Sequence, residues 1–309
     1  MADSTRTMPA VAGGRTGRRA PGPRPPALPR RWRPDVSNWQ AVALVAPLLV
    51  ALVALVGYPL IKLGYDSLTL GDGIGNYVTA VSGTAAQRSF LVTIGSSALV
   101  TAIAVIVGFW LSWYLVTTTK AWLRNLLWVS ILVPFWLGTI VKNYAFVLLF
   151  ARNGVINGLL VALGLEPVGL LYTPTAVVFG ITYSLIPFAT LAMYAVVSTI
   201  NPSLVIAARG MGASRFGAMR QIALPLATPG FVASGSLVFA LSIGFYITPV
   251  LLGGAQSPFV ASVISANVLQ YFNYPVACAQ SVLLLLMAFV VIGAAYALVG
   301  RDRLVKALA

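Results

Sequence analysis

The chain has 309 residues, 59% of them hydrophobic and only 8% charged, with a mean hydropathy of +0.91. Soluble domains carry about 25% charged residues, so a water-soluble globular fold is excluded for most of the chain and a lipid bilayer is the solvent that fits it. The net charge of +14 does not indicate nucleic acid, because eight of the twenty basic residues lie in the first forty positions and the others cluster in short segments between apolar runs, with no basic stripe interleaved with aromatics.

Residues 1–38 are rich in Arg, Pro, Gly and Ala, a composition with too little apolar surface to pack, so a disordered cytoplasmic tail is expected. The basic region is too long, and the apolar run after it long enough to span, for a cleaved signal peptide. Six apolar runs follow, at about 41–61, 89–116, 125–150, 175–200, 227–252 and 276–300. Each has the ~20 residues needed to cross the hydrocarbon core as a helix. The runs lack the alternation of a barrel, and backbone groups in lipid must pair internally, so they are read as helices. The fold class is therefore all-α, a polytopic membrane protein of about six transmembrane helices over residues 39–300, followed by a cytoplasmic tail at 301–309. The segment 62–88 contains the turn-rich GDGIGN, and 151–174 is expected to hold a short interfacial helix ending near Glu166 and Pro167.

Basic residues orient the chain. With the N-terminus in the cytoplasm, sixteen of them lie inside, including Lys120, Arg124, Arg209, Arg215, Arg220, Arg301, Arg303 and Lys306, against Lys62, Arg88 and Arg152 outside. Both termini are placed inside.

The cytoplasmic loop between the fourth and fifth runs, 201–226, reads as two short helices. Asn201 or Ser203 caps the first, Gly210 and Gly212 loosen the backbone, Ser214 caps the second, and Pro225 stands at the entry of the fifth run. This stretch resembles the loop of permease subunits of binding-protein-dependent ABC importers, whose pattern is E-A-A-x3-G-x9-I-x-L-P. Ala207, Ala208, Gly212, Ile222, Leu224 and Pro225 stand at the matching spacing, while Ile206 replaces the glutamate. The stretches VPFWLGTIVKNYAF, NGVINGLL, LGLEPVGLLYTPTAVVFGITYSLIPF and FYITPVLLGG resemble the spermidine/putrescine branch of that family.

The resemblance implies a type I importer permease fold in a bacterial inner membrane. It implies that the loop, including Arg209, Gly210, Met211 and Ala213, is a coupling helix seated on an ATPase subunit. It also implies two such ATPase subunits, a second homologous permease forming a heterodimer, an extracytoplasmic solute-binding protein and contact with membrane lipid. The cargo implied is a polyamine, with iron(III), opine-type and phosphonate-type solutes also carried within the branch.

Nothing in the chain supplies chemistry of its own. It has no phosphate loop of the form G-x-x-x-x-G-K-[ST], no histidine, one cysteine (Cys278) and no acid within an apolar run. No catalytic, cofactor or metal site is expected, and ATP is assigned to partner subunits. Few titratable groups for proton coupling stand within the runs, and an ion-gradient-driven secondary transporter of a small solute remains the rival class. Lys142 is the only charge within the runs and is read either as facing a pathway or as reaching to the outer surface. Trp136, Tyr144, Tyr183 and Tyr246 are candidates for a cation path, since aromatic faces attract amines, or are packing and interfacial residues. Pro134, Pro187 and Pro249 either break their helices to expose carbonyls or only kink them. Asp66, Asp72 and Glu166, the acids on the outer side, either meet a binding protein or are solvated.

Overall fold

A computed structural model describes residues 38–254 and 257–299. The Arg/Pro-rich segment, apart from Asn38, and the tail 301–309 lie outside the described residues. Tertiary contacts separate two units at Val56 and Gly57. The described part of the first unit is the beginning of α1 (Asn38–Thr69). This helix is apolar until Lys62 and Asp66 near its end, and its most apolar stretch has no buried residue.

The second unit is entirely helical among its described residues. After the end of α1 come α2 (Ile74–Ser82), α3 (Thr84–Thr117), α4 (Ala121–Trp136), α5 (Thr139–Phe150), α6 (Val155–Ala162) and α7 (Pro174–Val197). Then follow α8 (Ser203–Gly210), α9 (Arg215–Ala218), a π-helical turn at Met219–Ala223, α10 (Leu224–Leu226) and α11 (Thr228–Ile243). A second π-helical turn at Pro249–Gly253 precedes α12 (Val260–Leu269) and α13 (Tyr274–Val299). Among the described residues, five helical segments are long and apolar enough to cross a membrane, or six if the bent pair Arg215–Leu226 and Thr228–Ile243 counts as one.

Two of the six runs differ from the expectation. The run 125–150 is not one helix: α4 stops at Trp136, Leu137 and Gly138 turn extended, and α5 begins at Thr139. The span here is Thr139–Ala162, which joins α5 to α6 and leaves α4 as a shorter apolar helix. The short helix expected within 151–174 is present as α6, which follows α5 in one apolar segment. Buried Asn157 holds the following loop against it, donating to the carbonyls of Ala151 (3.1 Å) and Val168 (3.0 Å) and accepting from the Val168 N–H (2.8 Å). The run 227–252 also ends early, with α11 stopping at Ile243. Of the three prolines, Pro187 lies inside an unbroken α7, Pro134 lies two residues before the end of α4, and Pro249 opens the second π turn.

The core is α3 against α7, with α11 across both. Among lipid tails, apolar side chains gain little from meeting each other, so helices associate by close packing and polar ties. One face of α3 accordingly carries Ser89, Thr93, Ser97, Val100, Ala104, Gly108 and Ser112, all buried, at intervals of three or four residues. At Gly108 the helices nearly touch: a methyl there would stand 3.0 Å from the Ala189 carbonyl carbon and 3.1 Å from the Thr190 nitrogen. One turn on, Ser112 Oγ donates to the Thr190 carbonyl at 3.0 Å. Ser242 Oγ of α11 donates to Ser97 Oγ (3.1 Å), and the first amide of α12, Val260, donates to Thr93 Oγ1 (2.9 Å). The same stripe of α3 therefore fixes α7, α11 and α12.

Candidate functional site

The segment 201–226 folds as a capped elbow. Asn201 Oδ1 accepts from the Ser203 N–H at 3.0 Å and starts α8. The helix stops in a Schellman arrangement. The Gly212 N–H donates to the Arg209 carbonyl and the Ala213 N–H to the Ala208 carbonyl, both at 3.1 Å, with Gly212 at φ +95°. Gly212 is thus held where L side chains are strained, while Gly210 is an ordinary last helical residue. Ser214 Oγ then accepts from the Gly217 N–H at 2.9 Å and starts α9.

Pro225 explains the next turn. It has no N–H to donate to the Gln221 carbonyl, and the Leu224 N–H reaches one residue further back, to Met219, so the helix widens to a π turn. A 65° bend separates this arm from α11.

Where α8, α9 and the π turn meet, the buried residues are Ala208, Ala218 and Ala223. Small side chains allow three short helices to pack in so little space. Of the residues singled out from the sequence, Ala213, Ile222 and Leu224 are half-buried, and Ala207, Arg209, Gly210, Met211, Gly212 and Pro225 are exposed. The outer face of the elbow joins apolar to basic groups: Ile206, Met211 and Phe216 are 66%, 84% and 71% exposed, beside exposed Arg209, Arg215 and Arg220.

A second feature arises where two helices are interrupted. The amino end of α5 and the carboxyl end of α11 share a groove of about 420 Å³, lined by Thr139 on one side and Leu241, Gly244, Phe245, Tyr246 and Ile247 on the other. A helix start leaves amide donors free and a helix end leaves carbonyls free; the α5 start has no side-chain cap, and at the α11 end the Phe245 N–H donates to the Ser242 carbonyl at 3.2 Å. Both kinds of backbone group therefore converge on the groove.

The path candidates are only partly brought together. Tyr246 lines the groove and is 40% exposed, whereas Trp136 (81%) and Tyr144 (57%) are exposed without lining it. Tyr183 packs edge-on against Phe146 at 5.2 Å as part of the core. Lys142 does not reach a surface. It is 8% exposed, and its Nζ donates to the Pro134 carbonyl at 3.1 Å. That carbonyl belongs to the last turn of α4, where a cation also suits the helix dipole, so Lys142 ties α5 to the end of α4 across the break. Sequence reasoning missed Thr139 and Gly244 as groove-lining positions; the glycine within an apolar run was the available signal.

A family model described as the binding-protein-dependent transport system inner membrane component matches residues 104–303, more than half the chain, including both the elbow and the groove. The chain belongs to that family. Among curated relatives of this inner membrane component, the spermidine/putrescine transport system permease protein PotB of Salmonella typhimurium strain LT2 is 30% identical over 181 residues, covering 58% of this chain and 63% of the relative. The matched segment thus spans less than two thirds of that relative's length. PotB of Haemophilus influenzae is 30% identical over 202 residues, covering 64% of this chain and 70% of the relative. A chain of a bacterial alginate ABC transporter, solved in complex with an alginate pentasaccharide-bound periplasmic protein, superposes with a TM-score of 0.72 at 18% identity, over 86% of this chain and 95% of that one. The inner membrane component therefore has the ABC importer permease fold, and is a multi-pass membrane protein.

Proposed function

We propose that this chain is the permease subunit of an ATP-driven ABC importer that moves polyamines of the spermidine/putrescine type inward. The observation that carries the coupling role is the elbow at 201–226, a rigidly capped helical projection with an exposed apolar and basic face, joined to α11 through a 65° bend. In this reading the elbow lies in the cytoplasm with both termini and seats on one of two ATPase subunits. A second, homologous permease completes the pore as a heterodimer, and an extracytoplasmic binding protein delivers the solute. The chain itself performs no catalysis and binds no cofactor; ATP is hydrolysed in the partner subunits. Closure of the ATPases moves the elbow, and the bend passes that movement to α11 and so to the groove at its carboxyl end.

The polyamine assignment rests on the PotB likeness and is consistent with the groove. Backbone carbonyls at the α11 end that remain unpaired would accept from a permeant ammonium, the pairing that Lys142 Nζ already makes with the Pro134 carbonyl. With no carboxylate lining it, the groove would pass such a cation without holding it tightly.

The test is uptake of radiolabelled spermidine into proteoliposomes holding the complete complex and binding protein. Uptake should require ATP and be lost when the ATPase subunit is omitted. Uptake that follows a sodium or proton gradient without ATPase would contradict the importer role. ATP-driven uptake of a different solute would contradict only the polyamine assignment.

A further inference from the structure

At the end of the protein opposite the elbow in the proposed topology, α2, α3, α12 and α13 enclose a pocket of about 700 Å³. Its polar lining includes Thr79, Thr84, Arg88, Asn267, Asn273 and Gln280, and no Asp or Glu contributes to it. Arg88 is exposed there. Gln280 is 3% exposed, and its Oε1 accepts from Asn267 Nδ2 at 2.9 Å. The Gln280 amide hydrogens therefore have no acceptor among the described residues and are left for the cavity. The first turn of α3 also borders the pocket and has no side-chain cap, so its free amides and the positive end of a 34-residue helix add to the same side. Guanidinium, buried carboxamide and helix start are three donors converging on one space. That is a site for an anion, and a polyamine cation would be repelled from it.

The pocket rim indicates where the anion comes from. Asn273, which lines it, follows Phe272, whose backbone has φ +51° two residues past the Gln270 end cap of α12. That conformation is strained for a non-glycine residue, yet the Phe272 ring is 75% exposed, beside Tyr271 at 70% and Tyr274 at 53%. Exposed aromatics beside an arginine are the composition of a protein–protein hot spot. We propose that this pocket receives an acidic side chain of the solute-binding protein, with the Tyr271–Tyr274 tip packing around it. The proposal rests on the importer reading, in which this end faces away from the cytoplasm.

The experiment measures ATPase activity of the assembled complex in nanodiscs of phosphatidylcholine as a function of spermidine-loaded binding protein. Arg88→Glu should raise the half-saturating concentration of binding protein at least tenfold, and Gln280→Leu severalfold. Arg152→Glu, the same charge change outside the pocket, should stay within twofold. The half-saturating concentration does not depend on the yield of assembled complex, so partial misfolding cannot imitate the shift. An unchanged value for Arg88→Glu, or an equal shift for Arg152→Glu, would overturn the proposal. So would a shift seen only when phosphatidylglycerol is included, which would assign the pocket to a lipid headgroup. Should the unsubstituted complex show no stimulation at all, the importer reading itself fails, and the pocket assignment with it; that outcome needs no variant to be recognised.

Discussion

Gly108→Leu should lower the stability of the detergent-solubilised protein by about 3 kcal/mol, near the upper end of the usual cost of overpacking. The cause is backbone meeting backbone. A single methyl at this position already stands 3.0 Å from the Ala189 carbonyl carbon and 3.1 Å from the Thr190 nitrogen, and neither atom can rotate away. To fit three further carbons, α3 and α7 must separate, which also lengthens the buried bond from Ser112 Oγ to the Thr190 carbonyl one turn on. Gly95→Leu is the control. It lies on the same helix, but a methyl there would meet nothing within 4 Å, so its effect should fall within about 0.5 kcal/mol. Thermal unfolding of both variants measures the difference. Equal melting temperatures would show that α3 and α7 are not closely packed at this level.

Gly212→Val should reduce the solute moved per ATP hydrolysed about tenfold. At φ +95° a β-branched side chain is strained by its own backbone. No neighbouring atom lies within 4 Å of a Cβ there, so the whole effect comes from the backbone. A left-handed residue costs roughly 1–2 kcal/mol without glycine, and 1.4 kcal/mol corresponds to a factor of ten. The strain is relieved by releasing the Schellman bonds to Ala208 and Arg209, which frees α8 from α9 and lets the elbow yield instead of transmitting force. Asparagine tolerates this conformation better than alanine, and alanine better than valine, so coupling should fall in the order Asn, Ala, Val. Gly210→Ala, two residues earlier in ordinary helical backbone, should leave coupling intact. Transport and ATPase rates measured on the same proteoliposomes give the ratio directly. Full coupling in the Val variant would show that the elbow need not be rigid.

The elbow was the most legible part of the sequence because its determinants are local. Ser214 caps the residue three positions on as its type predicts, and the glycines stand where a helix must stop and turn. The spans were legible to within a few residues at most ends because hydropathy is a composition signal, and composition is what the bilayer selects. Pro134 and Pro249 left a break open as one reading, but hydropathy placed neither break, for the same reason. Phe135, Trp136 and Leu137 carry apolar character across the end of α4, and Phe245, Tyr246 and Ile247 carry it past the end of α11, so no averaged property drops there. Lys142 was read as reaching either a pathway or a surface; its actual partner, eight residues back in sequence, exists only because α4 ends where it does. The small-residue stripe of α3 was present in the letters, but serines and glycines in an apolar run look like lapses in hydropathy until a partner helix is laid against them.

The account depends most on the elbow facing the cytoplasm and touching an ATPase. Met211, 84% exposed at its tip, provides the probe once Cys278, the sole native thiol, is replaced by serine. In cells, Met211→Cys should resist a membrane-impermeant maleimide until the membrane is opened, and should then be shielded again by added ATPase subunit. Labelling of intact cells from outside would contradict the account.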